Sequence, residues 1–112
     1  PERAIRAAQH LRALGARQAA VTAGVGGVAL ADDTGCRWLP TVQVVARNPI
    51  GAGDSFLAGT VLAQGRGADW PTAVRSGMAT AASSVENDGA GVVDSRRVTA
   101  LERLLTEAHS RL

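Results

Sequence analysis

The run from Asn48 to Phe56, with the sequence NPIGAGDSF, constrains the fold of this chain more than any other feature. Residues 41–45 before it alternate as in a β-strand, and residues 56–63 after it have the apolar, Ala/Gly-spaced pattern of a helix. Two glycines at a strand-to-helix junction let backbone N–H groups turn towards one point, where the helix N-terminus adds partial positive charge. The junction therefore predicts a site for an anion, typically a phosphate.

Asp54 stands within this junction, directly after the second glycine. A carboxylate beside an anion site is electrostatically unfavourable unless it has a task, and removing a proton from an attacking hydroxyl group is such a task. The alternative is an ordinary loop in which the aspartate caps the helix. The four residues GAGD alone leave both interpretations open.

Hydrophobic periodicity and turn residues predict the order of elements along the chain. The predicted elements are a helix over residues 2–14, strands over 18–22, 25–31, 37–39 and 41–46, a hairpin turn over 32–35, and helices from 54 or 55 to 65–67, from 70 to about 87, and from a Ser95 cap onwards. A helix, a run of strands and three helices do not make a complete alternating βαβ series, so we expect an α/β domain with part of its sheet missing. Such a unit exposes a sheet edge and apolar helix faces, and it needs further chain or a partner for stability.

Three segments together resemble one family. NPIGAGDSFLAG from residue 48, VTAGVGGVALAD at 21–32 and GMATAASSVENDGAG at 77–91 are similar in order and spacing to the PfkB, or ribokinase-like, family of sugar kinases. The resemblance implies that residues 1–112 are a single partial domain, the C-terminal nucleotide-binding and catalytic-base part of a three-layer αβα fold. The chain shows no counterpart of the family's N-terminal Gly-Gly motif, β-sheet lid or Asn-x-x-Glu motif, so residues 1–112 alone are expected to be inactive.

The resemblance also implies roles for the residues of the junction. Asp54 matches the family's catalytic base, which activates a sugar hydroxyl group. The backbone amides of Ile50, Gly51, Ala52 and Gly53 would form the anion hole around the γ-phosphate, where a Cβ would obstruct the approach of a phosphate to the backbone.

On the nucleotide side, Thr22 and Gly24 match the Thr-x-Gly of the family's phosphate strand, and Gly27 belongs to the same turn. Met78 and Ala82 lie where members build one side of the adenine slot, and residues 87–91 are expected to close that slot as a loop. The alternatives from the residues alone are a buried strand ending in a glycine turn, and an Ala-rich helix in tight core packing.

The implied activity is an ATP-dependent transfer of a phosphoryl group to a hydroxyl of a sugar or sugar phosphate, with Mg²⁺ carried in by the nucleotide and no metal site of the protein's own. Asn48 replaces the aspartate with which ribokinase-type members help to bind a monovalent cation, so potassium activation is doubtful. Asn-Pro at this position is more similar to the 1-phosphofructokinase and tagatose-phosphate kinase branch. The alternative function is a non-catalytic nucleotide-binding or interaction module that retains the scaffold.

Composition excludes several other classes of function. All 12 basic residues are arginine, so a Walker-type P-loop has no candidate lysine. The net charge of +2 and the scattered arginines do not indicate nucleic-acid binding. Cys36 is alone, which indicates a reducing cytoplasm, and His10 and His109 have no metal-ligand spacing. The chain has no apolar run of about 20 residues and no signal-peptide pattern, so no membrane association is expected; a homodimer of the full-length protein is possible.

Overall fold

The computed structural model describes residues 1–89 and 92–112, which form two compact units, Pro1–Thr41 and Val42–Leu112. A three-stranded sheet and four helices make the chain an α/β protein. The elements are α1 Glu2–Ala13, β1 Ala19–Thr22, a 3₁₀ turn Gly24–Gly26, β2 Gly27–Asp32, β3 Gly35–Pro40, α2 Ala52–Gly65, α3 Trp70–Glu86 and α4 Ser95–Ser110. None of the described helices is long and apolar enough to cross a membrane. The assignment of one partial domain to residues 1–112 stays a prediction.

The first unit packs α1 against an antiparallel sheet with the strand order β1-β2-β3. The register pairs Ala19 with Ala31 and Thr22 with Val28, and it pairs Asp32 with Gly35 at the hairpin turn. One cluster of this unit has small side chains, which let the helix lie close to the strands; its buried members are Ala4, Ala8, Ala19, Ala29 and Ala31. The predicted α1, β1, β2, hairpin and β3 are all present, with bounds that differ by one or two residues.

The strand predicted over residues 41–46 is wrong, because the described chain is neither strand nor helix there. Half-buried Val42 and Val44 do alternate with exposed Gln43 and Val45. Alternation reports which side chains are covered, whereas a strand also requires a neighbouring strand for its backbone hydrogen bonds. Within the described residues, the sheet consists of β1, β2 and β3, and none of these pairs with residues 42–46.

In the second unit, α2 and α3 approach each other closely at two glycines. A Cβ on Gly59 would lie 2.5 Å from the hydroxyl oxygen of Thr80, and a Cβ on Gly77 would collide with the Thr60 hydroxyl and lie 2.7 Å from the Phe56 carbonyl oxygen. Both hydroxyl groups donate to carbonyl oxygens of their own helix at 2.7–2.8 Å, so the threonines bring no unsatisfied polar atom into this contact. The Ala/Gly spacing of α2 therefore serves helix–helix packing.

Aspartate side chains cap the last two helices. Asp69 accepts the Thr72 amide at 2.9 Å at the start of α3. At the start of α4, Asp94 accepts the amides of Arg96 at 2.9 Å and Arg97 at 3.3 Å, so the predicted Ser95 cap is wrong by one residue. A carboxylate interacts more favourably than a hydroxyl group with the positive end of a helix, which explains why Asp94 and not Ser95 caps α4. Leu101 and Leu105 are the buried residues of α4.

Candidate functional site

The strand-to-helix junction predicted as an anion site is the loop before α2 in the second unit. Gly51 is the N-cap residue, and its φ of 85° lies in the left-handed region that favours glycine. No side chain caps α2. Asp54 is the third residue of α2, and its exposed carboxylate makes no hydrogen bond or ion pair with any described residue. The interpretation of Asp54 as a helix cap is therefore wrong, and its carboxylate is available to a ligand.

The backbone amides at the start of α2 fall into two groups. The Ile50 amide donates to Asn48 Oδ1 at 3.0 Å, and the Ala52 amide donates to the Pro49 carbonyl oxygen at 3.3 Å. In contrast, the amides of Gly51, Gly53 and Asp54 have no acceptor among the described residues. Two of the four amides predicted for the anion hole are thus engaged within the chain in this structure, and two are open.

The predicted anion hole did not include the amide of Asp54, although a helix start at residue 54 or 55 also leaves that amide without a partner within the helix. The helix begins at Ala52, so the first amides of α2 include that of Asp54, and the first four amides of any helix lack a partner within it. The open amides and the Asp54 carboxylate therefore belong to one turn of backbone. This turn can present N–H groups to an anion and a base to a group bound beside that anion.

The loop is attached to the end of α3. The amides of Arg47 and Asn48 both donate to the carbonyl oxygen of Val85, at 2.6 and 3.0 Å. The side-chain amide of Asn48 donates to the carbonyl oxygen of Asp88 at 3.0 Å. Arg47 and Asp88 also form an exposed ion pair with a separation of 3.8 Å. The last carbonyl groups of a helix lack intrahelical partners, and here the loop supplies one for Val85.

The predicted phosphate strand lies in the first unit and divides into open and enclosed residues. Thr22 ends β1 with an exposed side chain that has no hydrogen-bond partner among the described residues. Gly24 has a φ of 57°, and a Cβ there would meet nothing within 4 Å. Gly27 is buried, and a Cβ on it would collide with the Leu39 carbonyl oxygen and lie 2.9 Å from Pro40 Cα. Thr22 and Gly24 are accessible to a ligand, whereas close strand pairing accounts for Gly27.

The residues predicted for the adenine slot lie inside the packing of α3. Met78 is 4% exposed and Ala82 is 8% exposed, so neither presents a face to solvent. Their burial favours the alternative of tight core packing, and the adenine role of Met78 and Ala82 stays a prediction. Of the loop predicted over residues 87–91, Ala90 and Gly91 lie outside the described residues.

Metal-ligating side chains and the cysteine thiol offer no second candidate site among the described residues. Within residues 1–89 and 92–112, no group of three or more His, Cys, Asp or Glu side chains is arranged to hold a metal ion. The thiol of Cys36 donates to the Ile5 carbonyl oxygen at 3.8 Å, and burial raises its pKa, which disfavours the reactive thiolate. The exposed junction around Asp54 therefore remains the candidate site.

Comparisons with known proteins gave two kinds of match, one to a family model and one to solved structures. Residues 1–96 match the model of the pfkB family of carbohydrate kinases. The structure superposes on phosphofructokinase-2 from Escherichia coli in complex with potassium, with 24% identity, a TM-score of 0.86, and coverage of 95% of this chain and 35% of that one. It also superposes on ribokinase from Thermotoga maritima, with 31% identity, a TM-score of 0.80, and coverage of 88% of this chain and 34% of that one.

The chain thus spans about a third of the length of these structures. A search of curated protein sequences gave no match. The family match covers most of the chain and includes the junction with Asp54. This chain belongs to the pfkB family of carbohydrate kinases.

Proposed function

We propose that this chain is the nucleotide-binding and catalytic-base part of an ATP-dependent kinase that acts on a hydroxyl group of a sugar or sugar phosphate. One observation carries the proposal: the exposed Asp54 carboxylate has no partner among the described residues and follows directly on open amides at the start of α2. An unengaged carboxylate next to donors that suit an anion fits a base that works beside a phosphate. The family membership of the chain supports the same reaction.

The chemistry assigns one task to each group. The hydroxyl oxygen of the sugar forms a bond to the γ-phosphorus while the bond from that phosphorus to the leaving diphosphate breaks. Asp54 accepts the hydroxyl proton. The amides of Gly51, Gly53 and Asp54 donate to the phosphoryl oxygens, on which negative charge is concentrated during transfer. Because these donors are fixed by the helix start, they need no rearrangement when the charge develops.

ATP and Mg²⁺ are the implied cofactors. In the first unit, the accessible Thr22 hydroxyl group and the exposed backbone at Gly24 suit contact with phosphate. In the second unit, the open amides of α2 suit contact with phosphate. Mg²⁺ bound to the nucleotide would neutralise phosphate charge. The proposal includes no monovalent cation at Asn48, because this side chain carries no charge and its amide group donates to the Asp88 carbonyl oxygen.

The Asn48-Pro49 pair bears on the substrate class. The Asn48-Pro49 pair resembles the 1-phosphofructokinase and tagatose-phosphate kinase branch, which favours a phosphorylated sugar. The E. coli phosphofructokinase-2 has been crystallised with fructose-6-phosphate and in a tetrameric inhibited form. For the complete protein that contains this chain, we propose a sugar phosphate substrate, a cytoplasmic location and a homodimer.

A screen of the complete protein for ADP release tests the proposal. Free sugars and sugar monophosphates are each supplied with MgATP. With at least one of them, we expect the protein to form ADP and phosphorylated sugar in equal amounts. Binding of MgATP without phosphorylation of any sugar would contradict the kinase and favour the alternative, a non-catalytic nucleotide-binding module. Residues 1–112 alone are the negative control, because they span about a third of the related structures.

A further inference from the structure

The side chain of Asn48 makes two hydrogen bonds that lead in different directions. Its Oδ1 accepts the Ile50 amide two residues ahead at 3.0 Å, and its Nδ2 donates to the Asp88 carbonyl oxygen at 3.0 Å, across 40 positions of sequence. A flipped amide would place a donor against the Ile50 donor and an acceptor against the Asp88 acceptor, so the partners fix this orientation. Both ends of the side chain are thus committed to backbone groups.

We propose that Asn48 is a positioning residue, which holds the loop before α2 so that the amides of Gly51 and Gly53 stay open for a phosphate. The proposal rests on the proposed kinase function. The bond from Ile50 forms a tight turn of the kind that asparagine side chains favour, and it leads the backbone into the left-handed conformation of Gly51. The turn engages the Ile50 amide and leaves the next amide free.

The second hydrogen bond joins this turn to Asp88, two residues beyond the end of α3. Together with the two amides that donate to the Val85 carbonyl oxygen, it attaches the loop to the end of α3. In turn, α3 packs against α2 at Gly59 and Gly77, where no side chain larger than hydrogen fits without movement. The loop is therefore bonded to the end of α3, and α3 in turn packs against α2, the helix that follows the loop. Amide donors held in this way stabilise developing charge without reorganisation.

Two substitutions in the complete protein test this arrangement by removing one or both hydrogen bonds. Asn48→Ala removes both bonds. Asn48→Ser stays neutral and can accept the Ile50 amide in a similar turn, but its short side chain lacks the amide donor to Asp88. The matched control is Asp69→Ala, which removes the capping bond to Thr72 at the opposite end of α3, about 24 Å away by helix rise.

Two measurements follow for each variant: hydrogen exchange of the peptide covering residues 47–54, and the Kd of MgATP by calorimetry. We expect faster exchange in both Asn48 variants and a Kd for MgATP raised about tenfold, which is the effect of roughly 1.4 kcal/mol. Asp69→Ala is expected to leave both quantities within about twofold of the wild type, a change of only ~0.4 kcal/mol.

Two results would overturn the inference: Asn48→Ser with wild-type exchange and Kd, or an Asp69→Ala variant that changes both as much as Asn48→Ala does. Failure of the proposed kinase is a different result, in which the wild type phosphorylates no sugar. The exchange measurement still decides the role of Asn48 in that case, because it needs neither nucleotide nor substrate.

Discussion

Gly53→Ala should move stability and phosphate binding in opposite directions. Gly53 is the second residue of α2, its φ is not positive, and an added Cβ would meet nothing within 4 Å. Alanine at such a helical position is more favourable than glycine by about 0.5–1 kcal/mol. In a domain of 150–250 residues, this gain corresponds to roughly 1–4 °C in Tm.

The same methyl group stands beside the open amide of Gly53 and reduces the room for a phosphate oxygen. A hydrogen bond to a charged group contributes about 1.5–3 kcal/mol. Loss of this contact should raise the Kd of MgATP about 10- to 100-fold. Fold stabilisation with weaker binding would be difficult to explain by general damage to the protein.

Gly65→Ala is the matched control, because Gly65 lies in the same helix, about 18 Å further along by helix rise, and is equally open. It should raise Tm similarly and leave the Kd of MgATP unchanged. Calorimetric titration and thermal unfolding of the complete protein measure both quantities. An unchanged Kd in Gly53→Ala would refute the assignment of this amide to the phosphate.

Gly77→Ala is expected to destabilise the protein by about 1–3 kcal/mol, because its methyl group would force α2 and α3 apart at Phe56; chemical unfolding measures this, and wild-type stability would contradict the close packing. Hydrogen bonds from the Thr34 hydroxyl and amide lower the pKa of Asp32. A depressed folded-state pKa contributes stability above the unfolded value near 4 and loses it as the pH falls through the folded value. Unfolding curves between pH 7 and 2 should therefore show a smaller acid-induced loss in Thr34→Val than in the wild type, and equal losses would exclude this contribution.

The sequence predicted the elements whose signals are local. The hairpin turn over residues 32–35 and the start of α3 at residue 70 were predicted from local turn and helix signals, and the structure has both. Residues 41–46 show the limit of this reasoning, because alternation of side chains carries no information about which strand pairs with them. A strand depends on its neighbour, and a single sequence does not identify that neighbour.

In the candidate site, too, local features were predicted from the sequence, and features that depend on contacts were not. The GAGD run and the family resemblance predicted Asp54 at a helix N-terminus, and the structure has it in the first turn of α2. They did not separate the open amides from the engaged ones, since the engagement of Ile50 depends on the orientation of the Asn48 side chain. Likewise, the enclosure of Gly27 by Leu39 and the burial of Met78 arise from contacts between elements, which glycine and methionine in a sequence do not reveal.

The most direct test of Asp54 as the catalytic base is the measurement of kcat and Tm on Asp54→Asn in the complete protein. The side chain caps no helix and has no partner among the described residues, so the nearly isosteric amide should leave Tm and the Kd of MgATP close to the wild type. An amide cannot accept the hydroxyl proton, and kcat should fall by about 10²- to 10⁴-fold. Asp33→Asn, a change at another exposed aspartate without a partner among the described residues, is the control and should alter neither quantity. A lower Tm with kcat per folded molecule preserved would contradict the assignment of Asp54 as the base.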